Sequence, residues 1–270
     1  MCKSLKICRS SFYYEVVGNK VDIDLENAVI YEFYLSNRIY GSRKLKIQLS
    51  IEQNGHKVYR VSRRRIRKIM KKYSLVSKYT LKRGKKKASP VNNDRIPNEV
   101  NRQFSDRKPL EVVVSDLTYL KCAGRWHYIC LLLDLHSRKI IGSAIGRQKD
   151  AKLVRQAFYG VQSDLRRIEM FHTDRGSEFK NQVIEEIIKA FGIRRSLSAK
   201  GKPVDNAVAE AMYSIVKTEF AYEEKFNDFQ ELEMKWFGFV NWYNNVRIHG
   251  SIGYLTPSQF EKQYAPKEAS

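Results

Sequence analysis

The first 80 residues place apolar side chains at helical spacing in short stretches separated by polar turns. Three helices are predicted, over residues 24–38, 42–53 and 62–72. Ser42 and Ser62 are expected to cap the second and third helices. This pattern is typical of a helix-turn-helix-like module, and a small helical bundle with a basic surface would show it too. We predict a small all-α domain over residues 21–80, preceded by a basic segment over residues 1–20.

A different pattern begins after residue 105. Strands are predicted at 111–120, 126–135, 138–145, 168–172 and 193–197, and helices at 150–166, 182–191 and 206–220. Asp205 or Asn206 is expected to cap the last of these helices. Three successive strands followed by strand–helix alternation indicate an α/β core with a mixed sheet and flanking helices. We place this core at residues 106–222, after a basic linker over 81–105 and before a C-terminal helix and tail over 223–270.

Positive charge is concentrated in the first part of the chain. The 270 residues include 50 Lys and Arg against 29 Asp and Glu, which gives a net charge of +21. Residues 53–93 contain 15 basic residues and no acidic one. Such a density favours a polyanionic partner, usually nucleic acid. The basic residues of the third helix are the predicted DNA contacts: Arg63, Arg64, Arg65, Arg67, Lys68, Lys71 and Lys72.

The composition also argues against several other classes of protein. The longest apolar run, over residues 128–135, is interrupted by Asp134 and is far shorter than the ~20 residues of a membrane span. The N-terminus has no apolar signal region, so we expect a cytoplasmic protein associated with the bacterial nucleoid, without a membrane partner. Four cysteines without a CxxC pair and five scattered histidines indicate free thiols and no zinc site.

Three carboxylates stand out in the predicted core. Asp116 interrupts a strand, Asp174 follows the end of another, and Glu210 lies in an otherwise apolar helix. Singly, each could be an edge, turn or surface residue. Together they could converge into a cluster of oxygen ligands that suits Mg²⁺ or Mn²⁺, and a pair of such ions supports phosphodiester chemistry. Lys217, two helical turns after Glu210, is suited to hold a phosphate, unless it is an ordinary surface lysine.

The motifs around these carboxylates resemble a known family. They comprise residues 115–119 (Ser-Asp-Leu-Thr-Tyr), 172–179 (His-Thr-Asp-Arg-Gly-Ser-Glu-Phe) and 200–210 (Lys-Gly-Lys-Pro-Val-Asp-Asn-Ala-Val-Ala-Glu). This set is similar to the DDE core of bacterial insertion-sequence transposases, most closely the downstream-frame (OrfB) proteins of the IS-three family. The 35 residues between Asp174 and Glu210 are the family's typical spacing. Further similarity is found at residues 6–14, 40–44, 61–75, 243–249 and 256–257.

The resemblance implies a fold and a mechanism. The fold would be ribonuclease-H-like, with a mixed five-stranded sheet, and Asp116, Asp174 and Glu210 would be catalytic residues that bind two Mg²⁺ or Mn²⁺ ions. The reaction would be cleavage of a strand at an element end, followed by attack of the freed 3′-hydroxyl on another phosphodiester. The implied partners are element-end and target DNA, further copies of the chain and an upstream-frame OrfA protein. Asn244 and His249 would support the site or the fold.

Two other functions remain as alternatives to a strand-transferring transposase. One is a DNA-binding remnant or regulator that has the fold without the catalysis, against which the intact set of three carboxylates argues. The other is a ribonuclease-H-like nuclease, which the 35-residue spacing and the basic N-terminal module disfavour.

Overall fold

A computed structural model describes residue 8 and residues 22–51, 57–80, 99–100, 107–176, 178–198, 207–222 and 224–264. Its α-helices in these ranges are α1 (Ile23–Leu35), α2 (Ser42–Leu49), α3 (Arg63–Lys72), α4 (Ala151–Tyr159), α5 (Gln182–Ala190), α6 (Ala207–Ile215), α7 (Phe229–Asn245) and α8 (Pro257–Gln263). Its strands are β1 (Val112–Cys122), β2 (Arg125–Asp134), β3 (Ile140–Gly146), β4 (Met170–Thr173) and β5 (Arg194–Leu197). None of the helices in the described part of the chain has the length and apolar character of a bilayer span. The predicted cap at Asp205 or Asn206 lies outside the described residues.

Helices α1, α2 and α3 pack around one apolar cluster that includes Phe33, Leu45 and Ile66. The predicted cap at Ser62 is confirmed, since its side chain accepts a hydrogen bond from the Arg65 amide at 3.3 Å. The prediction for Ser42 was wrong by one residue. Gly41 has the extended backbone of an N-cap and its carbonyl accepts the Leu45 amide, so Ser42 is already helical.

The predicted mixed five-stranded sheet is confirmed. Its strand order is β3-β2-β1-β4-β5, in which β1, β2 and β3 pair antiparallel while β4 and β5 run parallel to β1. β1 pairs with β4 only over Val112–Ser115, although β1 continues to Cys122. The second half of β1 therefore has no strand partner on its β4 side among the described residues.

Helices cover both faces of the sheet. Alternate residues of β1 and β2 pack under α4 and α5 on one face, and against α6 and α7 on the other. Gly142 on β3 permits close approach of α4, because a Cβ atom there would overlap the Ala157 carbonyl oxygen. The predicted helix over residues 150–166 is shorter in the structure, since α4 is capped at Gly160 and a separate 3₁₀ turn follows at Leu165–Arg167.

The C-terminal segment joins the helical module, which comprises α1, α2, α3 and the chain that follows them to Thr80, to the sheet. Asn244 on α7 accepts the Ile140 amide at 3.0 Å and donates to the Ile140 carbonyl at 2.9 Å, so it holds β3 and supports the fold. Ile248 inserts into the apolar cluster of α1–α3, and its amide donates to the Tyr40 hydroxyl at 2.9 Å. The helical module is thus anchored on the chain that follows α7.

A buried ion pair lies at this junction. The Arg247 guanidinium makes two 2.7 Å hydrogen bonds to the Glu219 carboxylate, and both side chains are almost fully buried. The Tyr79 hydroxyl, from the helical module, donates to the same carboxylate. Burial, together with the neighbouring Arg247 charge, lowers the pKa of His249 to about 2, so this ring is neutral at physiological pH. His249 therefore belongs to the junction between the two parts of the molecule.

Candidate active site

Asp116 and Asp174 lie side by side because of the strand register. Ser115 on β1 pairs with Thr173 at the end of β4, and the two strands are parallel. The next residue of each strand is an aspartate, so both carboxylates emerge at the same edge of the sheet. The Leu117 amide donates to Asp116 Oδ1 at 2.7 Å, and the Gly176 amide donates to Asp174 Oδ1 at 3.0 Å. The structure therefore brings together two of the three predicted carboxylates.

The two aspartates have unusual electrostatics. Burial, together with the nearby negative charges of Asp174 and Glu178, raises the pKa of Asp116 to about 7, although the Leu117 amide and Lys149 oppose this shift. Burial also raises the pKa of Asp174, with an additional contribution from Glu178. Carboxyl groups with raised pKa values are stabilised when they bind a proton or a cation. Perturbed pKa values of this kind are frequent at catalytic sites.

Glu178 and Lys149 are neighbours of the aspartate pair that the sequence did not reveal. The Glu178 side chain is buried, and Lys149 Nζ lies 3.0 Å from its Oε1. A Cβ atom at Gly176 would overlap the Glu178 carboxylate, so the glycine provides room for this side chain. The position of Glu178 four residues after Asp174 was a possible signal, but nothing in the sequence placed Lys149 beside it.

Glu210 is on α6, which packs against β1, and its side chain is exposed. Three residues later, buried Tyr213 donates its hydroxyl proton to the Asp116 carbonyl oxygen. This bond fixes α6 against the strand that carries Asp116. Within the described residues, no three Asp, Glu, His or Cys side chains are grouped as they would be around a metal ion. Asp116, Asp174 and Glu210 are therefore not assembled as a three-ligand group in this structure.

Lys217 lies in a π-helical segment, Val216–Ala221, that continues α6. The change in helical geometry at Val216 ends the 3.6-residue periodicity that predicted Lys217 and Glu210 on one helix face. The Lys217 ammonium instead lies 4.9 Å from the centre of the Tyr119 ring on β1. Lys217 thus remains close to β1, on the part of the strand beyond its pairing with β4.

The basic residues of α3 surround a buried apolar stripe. Ile66 and Ile69 face the cluster of α1–α3. The exposed cations are Arg64, Arg65, Arg67, Lys68, Lys71 and Lys72, and Arg63 is half-buried. Two of these cations have acidic partners, since the Lys72 ammonium is 2.7 Å from Glu26 Oε2 and the Arg65 guanidinium is 3.6 Å from Asp22 Oδ2. Most of the predicted DNA contacts are therefore on a solvent-facing surface.

The raised pKa of Asp116 predicts a pH-dependent stability. The folded protein keeps a proton on Asp116 between about pH 4 and pH 7, where the unfolded chain has released it, so this group lowers stability as pH rises through that window. Asp116→Asn should therefore leave the Tm of the metal-free protein nearly unchanged at pH 4.5 and raise it by a few degrees at pH 8, relative to wild type. Thermal unfolding in a chelator measures both differences.

Glu111→Gln is the matched control for this experiment. The amide of Lys108 and the guanidinium of Arg107 hold the pKa of Glu111 below its usual value, so its ionised form stabilises the fold. This variant should lower the Tm at pH 8, which is the opposite sign. An Asp116→Asn protein that melts like wild type at both pH values would contradict the electrostatic description of the site.

Known families match most of the chain. Residues 22–83 match the family described as HTH-like domain. Residues 106–203 and 191–257 match two families that are both described as Integrase core domain. The first match contains Asp116 and Asp174, and the second contains Glu210 and Lys217. The division between an α-helical part and a mixed-sheet part therefore follows two separate family assignments.

The curated relatives share much of the chain's length. The InsK transposase of insertion sequence element IS150 from Escherichia coli K12 is 28% identical over 99% of this chain and 94% of its own. The transposase of element IS904 from Lactococcus lactis is 29% identical over 72% of this chain and 77% of its own. Among solved structures, the catalytic core domain of BIV integrase aligns with 59% of this chain and 99% of its own, at 17% identity and a TM-score of 0.46.

Proposed function

Because the chain belongs to the insertion-sequence transposases with an integrase core, we propose that Asp116, Asp174 and Glu210 are its catalytic carboxylates. The observation that carries the proposal is the side-by-side placement of Asp116 and Asp174, whose pKa values are raised by burial and by neighbouring carboxylates. The reaction is cleavage of a DNA strand at the element end and transfer of the freed 3′-hydroxyl to target DNA. The test is cleavage and joining of end DNA in Mg²⁺ by wild type and by the carboxylate variants.

The donor set fits a divalent metal. Asp116 and Asp174 offer carboxylate oxygens side by side, and hard cations such as Mg²⁺ and Mn²⁺ prefer such ligands. We propose that Asp116 and Asp174 would hold them, two ions in all, with Glu210 as the third protein ligand. When bound, the ions would stabilise the negative charge on the attacking and leaving oxygens. The raised pKa of Asp116 supports metal binding, because a neighbouring cation would stabilise the ionised form of a carboxyl group that otherwise resists ionisation.

Glu210 would complete the ligand set from its position on α6. Tyr213 anchors this helix on Asp116, so Glu210, one turn earlier, is already on the helix that faces the strand. Residues 199–206, which precede α6, lie outside the described residues. We infer that DNA or metal binding orders the catalytic arrangement, in which Glu210 completes the ligand set and Lys217 contacts a phosphate.

DNA binding and chemistry are divided between the parts of the chain in this proposal. Residues 21–80 would bind DNA, residues 81–105 would link them to the catalytic core over 106–222, and residues 223–270 would brace the two parts. The basic segment over residues 1–20 would add phosphate contacts. Two strand ends must be joined in one reaction, so we propose that several copies of the chain assemble on DNA. An upstream-frame OrfA protein would contribute recognition of the element ends.

The role of α3 is tested by the salt dependence of binding. We expect Arg64→Ala/Arg67→Ala to weaken binding to end DNA and to scrambled DNA alike, because a basic helix poor in Asn and Gln suits phosphate contacts. The slope of log affinity against log salt should flatten by about 0.9 for each phosphate that the variant no longer neutralises. Titrations at several salt concentrations measure this slope.

Lys152→Ala/Lys189→Ala removes the same charge from exposed positions on α4 and α5 and should change the slope less. A weakening confined to end DNA, with an unchanged slope, would show instead that α3 reads bases.

A further inference from the structure

Two exposed aromatic rings stand on the distal half of the β1–β2 hairpin. Tyr119 and Trp126 are each 54% exposed, and their rings meet edge to face with centroids 5.2 Å apart. Burying a tryptophan is strongly favourable, so an indole left half in water needs a reason. The cluster beneath α4 and α5 includes Leu117 and Tyr128 but does not extend to this pair. The rings therefore form an open surface beyond the helices, which we call the hairpin platform.

The hairpin itself is cationic around the platform, whereas Asp228 and Glu231 lie near Cys122 on the opposite face. Residues 117–127 contain Lys121 and Arg125, both exposed, and no carboxylate. The Lys217 ammonium lies 4.9 Å from the centre of the Tyr119 ring, which brings a cation from the opposite face of the sheet to the platform. Aromatic rings interleaved with Lys and Arg suit the bases and phosphates of unpaired nucleic acid. An acidic or purely apolar partner would not match both features.

The position of the hairpin platform relative to Asp116 limits which nucleotide it could reach. Tyr119 follows Asp116 by three residues on one strand, a distance of about 10 Å. Nucleotides rise by about 3.4 Å along each strand of duplex DNA, so this distance equals about three nucleotides. The β4-side edge of this half of β1 has no strand partner in the described part of the chain. Asp116 and Tyr119 point to opposite faces of the sheet, so DNA would pass from the aspartates to the platform around that open edge.

We propose that the hairpin platform stacks an unpaired base of the bound DNA, about three nucleotides from the phosphate at Asp116. Trp126 provides the stacking surface, Tyr119 supports the indole edge to face, and Lys217 holds the phosphate next to the stacked base. The inference rests on the proposed function, because it assigns these residues to DNA that is already held at the carboxylates. It adds to the proposed function the requirement that base pairs at the end of the bound DNA open.

The test compares two DNA probes with the full chain in a chelator, so that cleavage plays no part. One probe is a fully paired duplex, and the other is identical except for three unpaired bases at its end, with 2-aminopurine among them. We expect Trp126→Ala to weaken binding of the forked probe about tenfold or more and to abolish quenching of its fluorescence. Binding of the paired probe should stay within about twofold of wild type. Trp126→Phe should retain most of the quenching.

Tyr159→Ala is the matched control, since Tyr159 on α4 is 72% exposed and lies outside the hairpin. This variant should change the binding of neither probe. Equal losses of affinity on the two probes, or unchanged quenching in Trp126→Ala, would overturn the proposal. So would a dimer of wild type that Trp126→Ala converts to monomers, because the platform would then be a contact between copies. Failure of strand cleavage with intact Trp126-dependent quenching would refute the proposed catalysis but not the stacking of an unpaired base on the platform.

Discussion

Asp116→Asn, Asp174→Asn and Glu210→Gln should each reduce DNA strand cleavage and joining by about a thousandfold or more. Each change keeps the size of the side chain and removes one negative charge from the ligand set. The proposed metal ions would contribute several kcal/mol of transition-state stabilisation, and each 1.36 kcal/mol corresponds to a factor of ten in rate. DNA affinity should remain within a few-fold of wild type, because it comes mainly from basic residues outside the carboxylate site.

Glu178→Gln is the comparison that identifies the third ligand. The charge of Glu178 raises the pKa of both aspartates, but Lys149 Nζ lies 3.0 Å from its Oε1. We expect cleavage by this variant to fall by less than tenfold. Cleavage of labelled end DNA and gel-shift titrations on the same preparations measure both properties. If Glu178→Gln were inactive while Glu210→Gln remained active, the third ligand would be Glu178.

Arg247→Met should lower the free energy of unfolding by about 3–5 kcal/mol, because it leaves the Glu219 carboxylate buried without its partner. In a chain of this size the corresponding decrease in Tm is roughly 10 °C. The Tyr79 hydroxyl would still donate to Glu219, but one neutral hydrogen bond does not replace a bidentate guanidinium. Because Tyr79 and Tyr40 both attach the helical module here, the variant should also loosen that module from the sheet.

The double variant Arg247→Met/Glu219→Leu separates the ion pair from general packing. Replacing both charges by apolar groups removes the unpaired carboxylate, so most of the stability should return. Lys235→Met is the surface control, since Lys235 pairs with Glu224 at 2.8 Å in an exposed position and should contribute under about 1 kcal/mol. Denaturant unfolding of wild type and the three variants gives the values. If Arg247→Met and Lys235→Met had equal effects, the buried pair would not hold the junction.

Local signals in the sequence were sufficient for the elements of the core. Runs of residues that favour strands predicted the five strands. Each observed limit lies within two residues of the predicted one. The cap at Ser62 followed from a side chain that bonds within its own turn. The helix after Asp150 was predicted too long, because apolar spacing continued past Gly160 although the chain turns there. Periodicity records which side of an element is apolar, and it is less informative about where the element stops.

Some of the acidic residues at the site could be found from the sequence, and others only from the fold. Asp116 could be chosen from the sequence because aspartate is unusual inside a strand, and Asp174 because functional groups gather where strands end; the parallel register then set them side by side. Glu178 and Lys149 could not be found this way, because they are 29 positions apart in the chain and only the fold brings their charges to 3.0 Å. The π-helical segment after Ile215 was equally invisible, since α-helical periodicity assumes 3.6 residues per turn.

The order of the elements, the uneven distribution of charge and the places of Asp116 and Asp174 relative to their strands could all be read from the amino-acid sequence, because each depends on residues that are close in the chain. The partners of those residues emerged only when the chain was folded. Arg247 meets Glu219 across 28 positions, Tyr79 reaches the same carboxylate across 140, and Tyr213 bonds to Asp116 across 97. Such contacts depend on how sheet and helices pack as solid bodies, and a linear pattern contains no information about the distances between them.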